Sequence, residues 1–72
     1  MISFKFIQDK NKNFTPSNKI FDYAKENNLN CYRTQFGTQV LEVNGNDYTY
    51  GYYTITPNED NTETVEIFLA LF

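Results

Sequence analysis

"QVLEVNGNDYTYGYYTIT" (residues 39–56) reads as a β-hairpin, because two β-prone runs meet at Asn44-Gly45-Asn46. An Asn-Gly pair between such runs is the strongest short-range hairpin signal. The first strand is 39–43 and the second roughly 47–56. The second carries Tyr48, Tyr50, Tyr52 and Tyr53. Alternate side chains of a strand share a face, so Tyr48, Tyr50 and Tyr52 are expected to form a row. Which face the row occupies depends on the turn. A two-residue Asn44-Gly45 turn sets Leu41 opposite Tyr48 and Glu42 opposite Asp47, and the row lies on the core side with Leu41 and Val43. A three-residue loop moves every pairing by one. It puts Tyr48 beside Glu42 and Tyr50 beside Val40, and turns Leu41, Val43, Tyr53 and Ile55 to the core. Turn geometry favours the first arrangement. The like-charge pair Glu42–Asp47, at a cost of about a few tenths of a kcal/mol or more, favours the second, and the second is the expectation. Gly51 inside the strand signals a bulge or a close approach of helix to sheet.

Outward from the hairpin the same period of two continues. "CYRTQF" (31–36) reads as a strand ended by Gly37, and "ETVEIFLALF" (63–72) as a last strand after a turn at "PNEDNT" (57–62) opened by Pro57. At the other end "ISFKFI" (2–7) alternates Ile2, Phe4 and Phe6 with Ser3 and Lys5, and "QDKNKN" (8–13) is a polar loop. Between them the period changes. Thr15 before Pro16 reads as an N-cap with proline at the first helical position. Ile20, Phe21, Ala24 and Tyr23 follow helical spacing, and Asn27-Asn28 forms the stop, since asparagine tolerates the left-handed conformation. The expected architecture is therefore a single α+β domain over 1–72, in the order β-α-β-β-β-β, with one helix packed on a mostly antiparallel twisted sheet. The final strand is apolar on both faces from Ile67 onward, a pattern usual for strands covered on both sides. The loop with Phe14, a curl of the sheet or another chain is expected to lie on its second face.

Composition limits the chemistry. A chain of 72 residues buries little surface, and such domains hold only a few kcal/mol of stability. There is one cysteine, Cys31, and no histidine, so neither an internal disulfide nor a four-ligand zinc site is expected. Cys31 has no histidine to activate it as a nucleophile and reads as a small apolar residue at a strand start. The carboxylate pairs Glu42/Asp47 and Glu63/Glu66 fall at strand ends or turns, where solvated carboxylates are ordinary. No catalytic residue, metal or cofactor is expected. "NEDNTE" (58–63) lacks the glycine and ligand spacing of a calcium loop. The N-terminus lacks a basic region followed by an apolar run, no segment is long enough to span a bilayer, and unpaired cysteine suits a reducing compartment. The expectation is a cytoplasmic protein, and the sequon Asn13-Phe14-Thr15 is a chance match.

Charge is unevenly divided. Residues 1–33 hold all six positive groups and three carboxylates, a net of +3, whereas 34–72 hold six carboxylates and no lysine or arginine, a net of −6. Soluble domains normally intersperse both signs. The acidic half either serves only to keep a small aromatic-rich chain soluble and to discourage edge-to-edge pairing, or it marks a protein-binding module whose tyrosines and carboxylates, Glu42, Asp47, Tyr48, Tyr50, Tyr52, Glu63 and Glu66, engage a basic surface. Tyrosine supplies contact area at low entropic cost, and carboxylates steer toward lysine- and arginine-rich partners. Such surfaces commonly hold nucleic acid, so an inhibitor that occupies them is the leading expectation. In composition the chain is similar to small acidic phage and mobile-element proteins, among them inhibitors of CRISPR and restriction systems, although no motif carries the likeness. One alternative is a homodimer built on the doubly apolar last strand and the tyrosine row. Another is a nucleic-acid binder using Lys10, Lys12, Lys19, Lys25 and Arg33, which the acidic pI of about 4.6 opposes.

Overall fold

A computed structural model describes residues 1–72. The elements are β1 (Ile2–Asp9), α1 (Pro16–Glu26), β2 (Asn30–Arg33), β3 (Gln39–Val43), β4 (Asn46–Pro57) and β5 (Thr62–Leu71). The five strands form one antiparallel sheet in the order β1-β5-β4-β3-β2. The α+β architecture and its element order are those read from the sequence. Because β1 and β2 are the two outer strands, α1 must cross one face of the sheet to join them. No helix is long and apolar enough to cross a membrane.

The hairpin adopts the two-residue turn, which corrects the three-residue expectation. Leu41 pairs with Tyr48, Glu42 with Asp47 and Val43 with Asn46. Asn44 and Gly45 both have positive φ, 52° and 82°, the geometry whose twist matches that of the flanking strands. The like-charge pair is tolerated because Glu42 is exposed, where water screens repulsion, and because Asp47 accepts a hydrogen bond from the Tyr32 hydroxyl.

Gly51 then changes the phase of the strand. Tyr50 pairs with Leu69 but Tyr52 with Phe68, so one residue is inserted between them. A β-carbon at Gly51 would stand 3.1 Å from the Phe68 carbonyl oxygen, which explains why glycine holds the bulge. The expected tyrosine row is thereby broken. Tyr48, Tyr50, Tyr53 and Ile55 lie on the helix side with Leu69, Ile67 and Val65, whereas Tyr52 faces the other way beside Phe68.

The core sits between α1 and the sheet: Ile20 and Ala24 pack with Leu41, Tyr48, Val65, Ile67 and Leu69, and Phe4, Phe6 and Phe14 seal its margin. Tyr23 stacks on Phe4 at 4.3 Å, and Phe14 meets Phe6 and Tyr53 edge-on. Phe21, one step of 100° round the helix from Ile20, is exposed. The loop carrying Phe14 therefore reinforces the helix side; on the opposite face Val40 is the one fully buried residue, and the rest of that face has no separate element over it, contrary to the expectation that something covers it. The double apolarity of β5 is explained locally. Phe68 stacks on Tyr52 at 4.6 Å, and Ala70 lies against the bulge at Gly51.

Several strand ends differ from the sequence reading by a residue, and three differences have a visible cause. β2 ends at Arg33, because the Thr34 amide donates to the Thr38 carbonyl and the Gly37 amide to the Thr34 carbonyl, folding 34–38 into a turn. β1 runs on to Asp9 through the polar residues Gln8 and Asp9, since Gln8 has a buried partner on β5. β4 includes Pro57, and the turn begins at Asn58, whose amide donates to the Thr62 carbonyl. Thr15 precedes the helix as expected, yet it caps through its backbone carbonyl, which accepts from the Asn18 and Lys19 amides, and not through its side chain.

Candidate functional site

The open face of the sheet is built from the residues that alternate away from α1. From β1 it takes Ser3, Lys5, Ile7 and Asp9; from β5, Glu66, Phe68 and Ala70; from β4, Asp47, Thr49, Tyr52 and Thr54; from β3, Glu42 and the fully buried Val40; from β2, Tyr32. Asp9, Glu42, Asp47 and Glu66 are set against the single cation Lys5. α1 carries Lys19 and Lys25 together with Asp22 and Glu26, whereas Glu42, Asp47 and Glu66 of the later strands lie on the sheet surface.

At one end of this face the Tyr32 hydroxyl donates to the Asp47 carboxylate at 3.4 Å, with Glu42 directly across the ladder from Asp47. At the centre lies the Tyr52–Phe68 stack, whose Tyr52 is 49 % exposed. Beyond it the Ser3 hydroxyl donates to Glu66 at 2.7 Å. Glu66 stands opposite Lys5 on one side and Thr54 on the other. Carboxylates therefore lie on both sides of an aromatic platform.

Of the seven residues expected to bind a partner, Glu42, Asp47, Tyr52 and Glu66 share this face. Tyr48 and Tyr50 are on the helix side, Tyr48 within the core. Glu63 is withdrawn as a surface carboxylate: it is 6 % exposed, accepts from Gln8 Nε2 at 2.8 Å, and lies near the Asn11 amide at 3.4 Å. Its position two residues before Val65 on a strict period of two was the signal that it points inward. Tyr32 and Phe68 join the site without having been singled out. For Tyr32 the signal was weak, since its face follows from the pairing of a four-residue strand.

Two phenols are perturbed. Tyr32 is pushed above the ordinary tyrosine range by loss of water against the sheet, then by the charge and hydrogen bond of Asp47, with Glu42 adding repulsion. Tyr50 is raised by burial and then by neighbouring Tyr53. The neutral phenol is the favoured form in both. A raised folded-state value stabilises the fold below the unfolded-state pKa, and that contribution is lost as pH climbs through the folded value. In an alkaline absorbance titration Tyr32 and Tyr50 should ionise above the value of a free phenol. Asp47→Asn should bring Tyr32 part of the way back and leave Tyr50 where it is; a Tyr32 titration indifferent to Asp47→Asn contradicts this geometry.

The remaining candidate chemistry is dispersed. Cys31 lies half-buried beside Ser17, Phe21, Arg33 and Gln39 in a groove of about 280 Å³ between α1 and β2. The Gln39 amide donates to the Ser17 carbonyl, and its Oε1 is without a partner. The basic residues do not converge on one surface. Lys19 sits over Phe6, Lys25 over Phe21, and Arg33 donates to the Gly37 carbonyl. In the 58–62 turn, Asn58 and Thr62 bond each other and Thr62 donates to Asp60, so these oxygens are occupied within the turn. No protein family, curated protein or solved structure matches this chain.

Proposed function

We propose that the chain is a non-enzymatic protein-binding module, and that its open sheet face docks on a basic surface of a larger protein, at a place where that protein holds nucleic acid. The observation that carries this reading is the placement of Glu42, Asp47 and Glu66 on the same sheet face as the half-exposed Tyr52–Phe68 stack, a face on which Val40 alone is fully buried. The stack offers area with a hydroxyl at its rim. The carboxylates offer negative charge that steers the encounter with a basic surface. Composition points to inhibitors of the phage and mobile-element kind, with CRISPR or restriction nucleases as targets.

The test is DNA cleavage by a panel of such nucleases, measured with the protein added at low and at high salt. Inhibition should weaken as salt rises. The triple variant Glu42→Gln/Asp47→Asn/Glu66→Gln, shown by circular dichroism to be folded, should bind the inhibited nuclease about tenfold or more less tightly. A folded triple variant that inhibits as well as the natural chain would remove the open face from consideration.

A further inference from the structure

β4 has a free edge. Its residues 46–48 pair with β3, but the ladder stops there, and the strand continues for nine more residues to Pro57 with β5 alone beside it. Every residue from Tyr50 to Pro57 is exposed. The direction of the backbone groups follows from the ends of the β4–β5 ladder. The Phe72 amide donates to the Asp47 carbonyl, and the Asn58 amide to the Thr62 carbonyl. In an antiparallel ladder residues turn their N–H and C=O alternately toward one neighbour and the other. With the registers Thr54–Glu66 and Thr56–Thr64, these even-numbered residues bond β5. Tyr53 and Ile55 therefore aim both their N–H and their C=O away from the sheet, and no loop or turn bond reaches them.

The other two edges carry charge or are short, whereas this one is blunted only at its ends, by the bulge at Gly51 and by Pro57, and Tyr52–Thr56 between them carries no such device. β1 has Lys5 and Asp9, and β2 is only four residues long and ends in Arg33. From Tyr48 to Asn58 there is no charged residue. An uncharged, exposed edge rich in tyrosine, threonine and isoleucine is a template for another strand.

We infer that this edge pairs with the same edge of a second copy, antiparallel, about a two-fold axis through Thr54 and perpendicular to the sheet. Such an axis keeps the faces of the two sheets aligned, so residues opposite one another must share a face. Centred on Thr54, Tyr53 meets the second copy's Ile55 and Ile55 meets its Tyr53, all with outward backbone groups, which allows four hydrogen bonds between chains. Aromatic–β-branched and Thr–Thr pairs are favourable cross-strand neighbours. The adjacent choices are worse. An axis at Tyr53 would oppose Ile55 to the bulged Gly51, and one at Ile55 would oppose Tyr53 to Pro57, which has no N–H. The last strand, by contrast, cannot supply an edge-to-edge seam, since β5 is paired on both sides. The dimer is a continuous sheet with both acidic faces on the same side, a bivalent form of the surface described above.

Sedimentation equilibrium of the full chain tests this. A monomer–dimer equilibrium is expected that holds or tightens at high salt, because the bonds are uncharged and each copy carries −3. Partner binding through the acidic face has the opposite salt response, so the two proposals fail separately. Ile55→Pro removes an outward donor and spares the β5 ladder, and should raise the dimer dissociation constant roughly tenfold or more. Thr54→Lys, which sets two ammonium groups together on the axis, should give a monomer at all concentrations, and it carries the test if the proline variant does not fold. In Cys31→Ser/Thr54→Cys the two thiols would lie on residues about 4.5 Å apart at Cα, within disulfide reach, and mild oxidation should link the dimer covalently. A natural chain that stays monomeric, a dimer indifferent to Thr54→Lys, or a cysteine variant that does not cross-link would each overturn the inference.

Discussion

Ile67→Ala should remove most of the domain's stability and leave a measurable fraction of molecules unfolded at 25 °C. Ile67 is fully buried at the middle of β5, between Phe4 on β1 and Tyr53 on β4, under the helix. Removing its branched side chain loses the transfer free energy and leaves a cavity that paired strands on both sides cannot collapse, a cost of about 3–4 kcal/mol. A domain of this size has roughly 3–5 kcal/mol in total. The matching change one position on, Phe68→Ala, removes a larger side chain from the open face. It should cost only about 1 kcal/mol, because the Tyr52–Phe68 stack is partly solvated. Urea denaturation followed by circular dichroism compares the two. Equal losses would mean that the open face is a second core, and its role as a binding surface would go with it.

Gln8→Leu is expected to cost about 2–3 kcal/mol although it makes a buried position more apolar. Gln8 Nε2 donates both to Glu63 Oε2 and to the Lys12 carbonyl, each at 2.8 Å. Leucine would leave the buried Glu63 carboxylate with the distant Asn11 amide alone. A buried acceptor that loses its donor bears its desolvation unrelieved, and a charged one most of all. The double variant Gln8→Leu/Glu63→Leu should recover much of the loss, since replacing both members of a buried polar pair is often close to neutral. Stabilities of the natural chain, both single variants and the double variant form the cycle. Should Gln8→Leu prove neutral, Glu63 is solvated after all and returns to the set of carboxylates available to a partner.

These two expectations also mark where period-two reasoning holds. Along β5 it sets Val65, Ile67, Leu69 and Leu71 on one face; the first three lie in the core, whereas Leu71 at the strand end is exposed. It applied equally to Glu63, which a reading of acidic residues as surface residues overrode. The alternation was the better guide, because a strand positions every second side chain inward whatever its charge and the fold must then supply a donor.

The sequence by itself determined the element order, the α+β class, the helix start at Pro16 and the place of the hairpin turn at 44–46. Each is set by local backbone chemistry: a ring that presets φ, residues that accept positive φ, a missing β-carbon. Only the tertiary structure decided which tyrosines share a face. Up to Tyr50 the two-residue register holds, with Tyr48 against Leu41; beyond Gly51 the side chains fall as the other register would have them, with Tyr53 and Ile55 inward. A bulge inverts the facing of every residue after it, and where the extra residue goes is settled by contact with the neighbouring strand, here the Phe68 carbonyl against Gly51. The strand order is of the same kind. That β5 lies inside the sheet and half of β4 at an open edge depends on pairings between residues far apart in the chain, which no local pattern encodes.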